Sequence, residues 1–470
     1  MKLLILTEGS NKIGLGHIYR CLSIADEARK REMEVVFLTT FDFENMDRFK
    51  YDFKVQNWYE ESDLKRILNS ETPDLVLVDS YLAEKKIYSM LYDLVPSLLI
   101  IDDNNDFRYK GGGIINPSFF ANELHYPINS ESFQFLLGSD YMILRPAFMK
   151  GNQRSCNDRI KDVLIMIGGT DPKGYSEILL QKVRNQLPEA TIHLISKKYV
   201  EGNLDGVRHY SELNDKEMAE VMKKCDVAIS GAGTTIYELI ATQTPFLAIQ
   251  VADNQANNIR MIKEYELGIG IQEIEDFDYY FDVMIDKTVR ENMIKKHKMY
   301  PLDGVKRIIG FGIVQAIDIK EADKADSQAV YALSTSDTVR KYSKNSKPFS
   351  FESHQQWFEK AISNQNILFL VLQEKVTHRF LGQIRFQREG NQMIISLSFT
   401  DFLRGKGVSG KILVRAMQIA RNKFSCNSFI AEINERNIAS RKLFESLAFK
   451  KIHQENDILI YKYIFEEKNQ

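Results

Sequence analysis

The chain has 470 residues, 44% hydrophobic and 11% aromatic, too long for one packed core and apolar enough for two or three. Its 62 Lys and Arg nearly balance 64 Asp and Glu, for a formal charge of −2, which excludes the basic footprint of a nucleic-acid binder and the polybasic patch of a membrane-surface protein. Cys21, Cys156, Cys225 and Cys426 show no paired spacing, so reduced thiols in a cytoplasmic protein are expected, with no disulfide framework and no zinc site. No apolar run approaches the roughly 20 residues that span a bilayer, and Met1-Lys2 leads straight into an apolar run, so neither a membrane span nor a signal peptide is expected.

The first apolar run, Leu3-Leu4-Ile5-Leu6, reads as a buried parallel strand. It is followed by Gly14-Leu15-Gly16-His17-Ile18-Tyr19-Arg20, and residues 21–28 read as a helix. A glycine turn between strand and helix aims backbone N–H groups and the positive helix end at the space above the sheet. A histidine at that turn is a titratable group where an anionic ligand docks, which points to chemistry on a phosphorylated substrate. Residues 35–38, 75–78 and 97–101 are further strands, the last two ending in Asp79 and in Asp102-Asp103, with helical patterns between them. Apolar strands alternating with helices imply a doubly wound parallel sheet over residues 1–150. Ligands of such sheets bind at the carboxyl ends of strands, where His17, Asp79, Tyr81 and Asp103 lie.

The pattern restarts over residues 151–318. Residues 163–167 form a strand before Gly168-Gly169-Thr170-Asp171-Pro172, and further strands fall at 191–196, 227–230 and 245–251. Ser230-Gly231-Ala232-Gly233-Thr234-Thr235-Ile236-Tyr237-Glu238 is again strand, glycine turn and helix. Small residues let a diphosphate approach the backbone, Thr234 and Thr235 add hydroxyl donors, and Glu238 is placed to accept from ribose hydroxyls. Asp253-Asn254-Gln255 packs amides and a carboxylate into a loop suited to a sugar. Two doubly wound domains facing each other make a cleft, the usual place for a nucleotide-linked substrate. Residues 319–328 are charged and small and read as a linker. Residues 329–470 have a different grammar, with an amphipathic helix at 351–362, adjacent strands at 367–372 and 379–387, and a clean alternation over 393–400. A helix opening near Lys411, a strand at 428–433, a helix at 437–446 and a last strand near 458–463 complete a separate α+β domain.

The tracts GLGHIYRCLSIA, IGGTDP and GAGTTIYEL…VADNQ resemble the UDP-sugar hydrolase family of pseudaminic acid biosynthesis, a two-domain relative of the GT-B glycosyltransferases. The resemblance covers about residues 1–315. It implies a GT-B arrangement and hydrolysis of UDP-2,4-diacetamido-2,4,6-trideoxy-β-L-altropyranose, with water attacking the anomeric carbon and inverting it. Carried over, His17 is the general base, Gly14, Gly16 and Gly169 allow close approach, and Arg20, Tyr81 and Asp103 line the substrate. Gly231, Gly233, Thr234 and Thr235 hold the leaving UDP, Glu238 its ribose, and Asp253, Asn254 and Gln255 the sugar or phosphate linkage. Donors on the leaving diphosphate fill the role a metal has elsewhere, so no metal is expected.

Arg404-Gly405-Lys406-Gly407-Val408-Ser409-Gly410 resembles the acetyl-CoA loop of the GNAT acyltransferases, and Asn437-x-x-Ser440 with Phe444 and Phe449 is similar to the second half of their signature. The resemblance covers about residues 330–465 and implies an acetyl-CoA co-substrate. Arg404, Gly405, Gly407, Ser409 and Gly410 would hold its pyrophosphate and Phe399, Thr400 and Leu403 would offer backbone to pantetheine, with Asn437 and Phe444 near the thioester. Phe444 stands where many members carry the tyrosine that protonates the departing thiolate, and Ala448 replaces a usual glycine; water or a nearby tyrosine then donates the proton. His354-Gln355-Gln356-Trp357-Phe358 resembles the early helix of the acetyltransferase of the same pathway. Together the halves imply a bifunctional enzyme that acetylates a UDP-linked 4-amino sugar and then hydrolyses the product; the alternative is a glycosyltransferase with a non-catalytic acetyl-CoA-binding module. The partners expected are small molecules, with no nucleic acid and no membrane.

Overall fold

The opening apolar run is an interior strand of a seven-stranded parallel sheet in the computed structural model, which describes residues 1–9, 16–40, 50–105, 109–127, 132–151, 153–168, 171, 173–197, 205–343 and 347–465. The strands are β1 (Lys2–Thr7), β2 (Glu34–Thr39), β3 (Asp52–Val55), β4 (Leu75–Asp79), β5 (Leu98–Ile101), β6 (Gly112–Asn116) and β7 (Phe133–Leu137). Their order is β3-β2-β1-β4-β5-β6-β7. β1 and β4 are neighbours at the point where the winding reverses, and Thr7 is in register with Asp79. A crevice opens at such a point because the connections leave to opposite faces.

The second sheet repeats that plan with β8 (Asp162–Met166), β9 (Thr191–Ile195), β10 (Val207–Tyr210), β11 (Val227–Gly231), β12 (Phe246–Ile249) and β13 (Ile269–Ile271), in the order β10-β9-β8-β11-β12-β13. Its switch point lies between β8 and β11, so the loops after those two strands share one edge. Every pairing in both sheets is parallel, as their uninterrupted apolar strands require.

The third sheet holds β14 (Ile317–Glu321), β15 (Ile367–Glu374), β16 (Phe380–Glu389), β17 (Gln392–Phe399), β18 (Ser428–Asn434), β19 (Lys450–Glu455) and β20 (Ile458–Ile464), ordered β14-β15-β16-β17-β18-β20-β19. Only the β17–β18 pair is parallel. The stretch 319–328, expected as a linker, is folded instead. Its first residues belong to β14, paired from Ile317↔Glu374 to Glu321↔Leu370, and Asp323 caps the turn that leads into the Ser327–Thr335 helix. An edge strand needs only one bonded neighbour and tolerates charge, which hides it from an apolar-period reading.

The boundary at 318 also needs correcting. The Gly304–Gln315 helix leaves the second sheet and buries Val305, Ile308, Ile309 and Ile313 in the same core as Leu3, Ile5, Leu75 and Leu99 of the first. That core continues into the third unit through Leu413 and Met417. Arg415 donates to Val314 O at 2.5 Å and Lys406 Nζ to Arg31 O at 2.7 Å, so the third unit is seated on the first.

Candidate active sites

His17 enters the crevice because β1 ends at Thr7 and the Gly16–Lys30 helix begins one residue before it. Its Nδ1 lies 2.7 Å from Oδ1 of Asp79, the last residue of β4, which is 1% exposed. Arg20, one helical turn on, donates from Nε and Nη2 to the two Asp79 oxygens at 2.8 and 2.6 Å and from Nη1 to Asp103 at 2.6 Å. The Tyr81 hydroxyl donates to the same Asp103 oxygen at 2.9 Å, and its ring meets His17 edge-on at 4.7 Å. Beneath, buried Glu8 accepts from the Tyr59 hydroxyl at 2.7 Å and from Tyr81 N–H at 2.8 Å, which fixes the Tyr81 backbone.

The electrostatics make one functional unit of these groups. Burial pushes the Asp79 carboxyl up, but the Arg20 charge and then the His17 hydrogen bond outweigh it and hold it at about 2. Burial pushes the His17 imidazole down, and the Asp79 hydrogen bond and charge overcome that, leaving it raised. With Nδ1–H given to Asp79, the neutral ring carries its lone pair on Nε2. The arrangement can hold a base, orient it, and stabilise the imidazolium it becomes.

The second lobe meets the first at Tyr237. Its ring stacks on Phe119 of the first lobe at 5.1 Å, and its phenol is pushed up mainly by burial, with the Asp103 carboxylate adding to the effect. Gly231 closes β11 against Ile167, where a Cβ would lie 2.8 Å from a backbone oxygen. Gly233 faces Gln255, whose Oε1 accepts from Val251 N–H at 3.0 Å. Thr234 is exposed, Thr235 half-buried at the start of the Thr235–Ala241 helix, and Asp253 and Asn254 are exposed. Gly16 is exposed with open space beside it, whereas Gly14 and Gly169 lie outside the described residues.

Glu238, expected at the ribose, is already paired here. It takes two hydrogen bonds from Arg145, at 2.6 and 2.8 Å, and Arg145 also reaches Asp215 at 2.6 Å. Glu238 thus anchors the Arg145 segment to the second lobe in this structure, and any ribose contact must share a carboxylate already paired. Among the described residues, no group of three or more His, Cys, Asp or Glu is placed to hold a metal ion, and no helix is long and apolar enough to cross a membrane.

In the third unit, β17 and β18 pair from Gln392↔Ser428 to Ile395↔Ala431 and then part, although β17 runs on to Phe399 and β18 to Asn434. The gap exposes backbone groups of both strands to an inserted ligand. Beyond it lie Phe399 and Leu403, both buried, and Thr400, whose N–H and hydroxyl both bond to Leu381 O. The turn that follows carries Gly405 and Gly407, each at φ 69°, and opens the Ser409–Phe424 helix. No heavy atom would crowd a Cβ at Gly405 or Gly407, so these glycines are required by backbone conformation. Arg404 turns to Asp401 at 3.3 Å, and Gly410 packs near Leu443 and Leu447.

Residues 317–450 match the acetyltransferase (GNAT) domain family. The C-terminal part of the chain is a GNAT acetyltransferase domain. Over 96% of its length the chain is 27% identical to the uncharacterized protein MJ1062 of Methanocaldococcus jannaschii, covering 97% of that protein. A stretch of 262 residues is 30% identical to the pseudaminic acid cytidylyltransferase and UDP-2,4-diacetamido-2,4,6-trideoxy-beta-L-altropyranose hydrolase of Helicobacter pylori, covering 54% of this chain and 45% of that protein. The UDP-2,4-diacetamido-2,4,6-trideoxy-beta-L-altropyranose hydrolase of Campylobacter jejuni is 22% identical over 57% of this chain and 98% of its own. The chain therefore joins a part similar to hydrolases of pseudaminic acid biosynthesis to a GNAT domain.

Within the GNAT domain two expected contacts are already engaged. The Asn437 side-chain oxygen accepts from Ser440 N–H at 3.1 Å and caps the Ile438–Ser446 helix. Phe444 is buried edge-on against Phe449 at 4.9 Å, and the nearby Tyr461 hydroxyl is given to Glu445 at 2.7 Å. Ala448, where the family pattern has glycine, sits at φ 62°. A Cβ there costs roughly 1–2 kcal/mol, partly offset by glycine's looser unfolded chain. Ala448→Gly is expected to raise the midpoint of thermal unfolding by a few degrees in calorimetry.

Sequence reading passed over Glu8 and Arg145 and left Asp79 without a role. Asp79 carried a signal, a lone carboxylate ending an apolar strand. Glu8 carried the same signal one residue past β1. Arg145 had none.

Proposed function

We propose that the chain is a bifunctional nucleotide-sugar enzyme. Its GNAT domain acetylates the amine of a UDP-linked 4-amino sugar from acetyl-CoA. Its first two domains hydrolyse the resulting UDP-2,4-diacetamido-2,4,6-trideoxy-β-L-altropyranose to free sugar and UDP. The observation that carries the hydrolase reading is the Asp79–His17 pair, a buried carboxylate 2.7 Å from an imidazole at the mouth of a switch-point crevice.

In that reaction His17 Nε2 takes a proton from water as the water oxygen bonds to the anomeric carbon on the face opposite the diphosphate. The anomeric C–O bond breaks, and UDP leaves with the bonding electron pair. Asp79 stays ionised and steadies the imidazolium, while Arg20 keeps Asp79 from taking the proton. N–H groups around Gly231 and Gly233 and the Thr234 and Thr235 hydroxyls receive the diphosphate charge, and Gln255 lies beside that turn. In the acetyl transfer the neutral amine attacks the thioester carbonyl, the C–S bond breaks, the nitrogen gives its extra proton to water, and the departing thiolate takes one back from water, because Phe444 has no hydroxyl and Tyr461 is tied to Glu445. Thiolate leaves readily, so positioning in the strand gap supplies much of the rate.

Incubation with the UDP-linked 4-amino sugar and acetyl-CoA, without any acceptor for the sugar, tests the reading. Free diacetamido sugar, UDP and CoA thiol in equal amounts support it; sugar retained on UDP until an acceptor is added would make the first two domains a glycosyltransferase.

The raised His17 pKa gives this step a pH signature. Hydrolysis needs the neutral ring, so the rate falls as pH drops through a value above the ordinary 6.5. Asp79→Asn removes the group that raises it and leaves burial to pull it down. The acid limb of kcat against pH is expected to move to lower pH and the plateau to fall by about 10²-fold or more. The stability signs differ for the two partners. The raised His17 adds stability that is complete below its unfolded pKa and fades as pH rises through the folded one. Asp79 adds stability above its unfolded value that fades as pH falls toward about 2.

A further inference from the structure

We propose that Arg385 and Trp357 form the subsite that holds the nucleotide of a nucleotide-linked amine acceptor in the GNAT domain. The inference deepens the acetyltransferase reading above and rests on it.

The strand gap has two faces. Met393, Ile395 and Phe399 of β17 pack with Leu413 and Met417 of the helix that follows the glycine turn. A pyrophosphate held at that turn brings its thioester into the gap from that side, so the amine must arrive from the other. Alternation along the strands puts Ser396 and Ser398 of β17 and Gln383 and Arg385 of β16 on the other face. Arg385 is in register with Ser396, one residue past the last β17–β18 pair, and Ser396 is exposed. The Arg385 backbone therefore lies one strand spacing, about 4.8 Å, from the strand that borders the gap, on the face the amine must use.

Among the described residues Arg385 is also a charge without a counter-charge: no carboxylate pairs with it, and burial by itself lowers its pKa. Its guanidinium lies 5.4 Å over the ring of Trp357, which is 43% exposed and edge-on to Phe369 at 6.2 Å. A half-buried cation costs desolvation that no protein anion returns here, and a planar guanidinium binds a diphosphate through paired hydrogen bonds. The exposed indole beside it offers a face on which a base can stack. The same cation repels a polyamine, so the acceptor class is an anionic, nucleotide-bearing amine.

The test uses the full chain. Thiol release is measured with acetyl-CoA and a UDP-linked 4-amino sugar in wild type, Arg385→Gln and Arg385→Lys. The expected result is a rise of about tenfold or more in the acceptor KM of Arg385→Gln, a smaller rise in Arg385→Lys, an unchanged KM for acetyl-CoA, and no thiol release with spermidine. An unchanged acceptor KM, or spermidine used as well as the nucleotide sugar, overturns the proposal. Binding gives an independent readout, because the other tryptophan, Trp58, is fully buried in the first domain. UDP is expected to quench a fluorescence component that is absent in Trp357→Phe, with about tenfold weaker binding in Arg385→Gln. UDP that leaves this component unchanged overturns the subsite. If wild type releases no thiol with any amine, the acetyltransferase reading falls, and the quenching still decides whether a nucleotide binds here.

Discussion

Replacing His17 by alanine is expected to reduce hydrolysis of the diacetamido UDP-sugar by 10²–10⁴-fold, roughly the range general-base catalysis supplies. The acetyl transfer is expected to run at the wild-type rate, so a reaction given the 4-amino precursor and acetyl-CoA accumulates acetylated UDP-sugar. The fold survives the change because Arg20 still holds both Asp79 oxygens, at 2.8 and 2.6 Å. Mass spectrometry of the products with time distinguishes the outcomes. Free sugar formed at an undiminished rate would remove His17 from the chemistry and leave the Asp79 pair as a brace for the turn.

Gly407→Glu is expected to do the reverse. Position 407 sits at φ 69° in the turn before the Ser409–Phe424 helix. Glutamate there adds a strained backbone, at roughly 1–2 kcal/mol, and a carboxylate where a pyrophosphate must lie. Like charges brought together cost several kcal/mol, so acetyl-CoA affinity is expected to fall by about 10²-fold or more. Hydrolysis of supplied diacetamido UDP-sugar is expected to remain at the wild-type level. Calorimetric titration with acetyl-CoA and a parallel hydrolysis assay read the two effects, and a variant that binds acetyl-CoA as wild type does would exclude the turn as the pyrophosphate site. A joint loss of both activities with a lowered unfolding temperature would instead mean that the turn supports the seat of the GNAT domain on the first lobe, where Lys406 bonds to Arg31.

The strands that sequence reading found and those it missed divide by position in the sheet. β1, β4, β5, β8, β11 and β12 are interior and buried on both faces, so each is a run of apolar residues. Each sheet's two edge strands were missed: β3 and β7, β10 and β13, β14 and β19. Lys450–Glu455, for example, is exposed at every residue. An edge strand is bonded on one side only and is protected from further pairing by charge or short length; β3, β10, β14 and β19 carry charge that masks the apolar signal, and β7 and β13 are apolar but only five and three residues long. β6 is the interior exception; it opens with two glycines, which read as a turn.

The candidate sites divide in a similar way. The glycine turns, the histidine at the first helix, the φ 69° glycines before the last long helix and the alternation over 393–400 are local features, each fixed by a few consecutive residues, and the chain states them outright. The partners of those residues are not local. Asp79 meets His17 across 62 positions, Arg145 meets Glu238 across 93, and Arg20 meets Asp103 across 83. Neither the raised imidazole nor the pairing of Glu238 can be read before the sheets bring those positions together, because a charge's pKa depends on what stands within a few ångströms of it and on how little water remains there. The sequence by itself determined three units, their classes and the turns on which ligands are expected. Only the tertiary structure decided which carboxylate arms the histidine, that the Gly304–Gln315 helix returns to the first domain, and that Arg385 faces Trp357 with no acid among the described residues to answer it, since each follows from packing between distant segments.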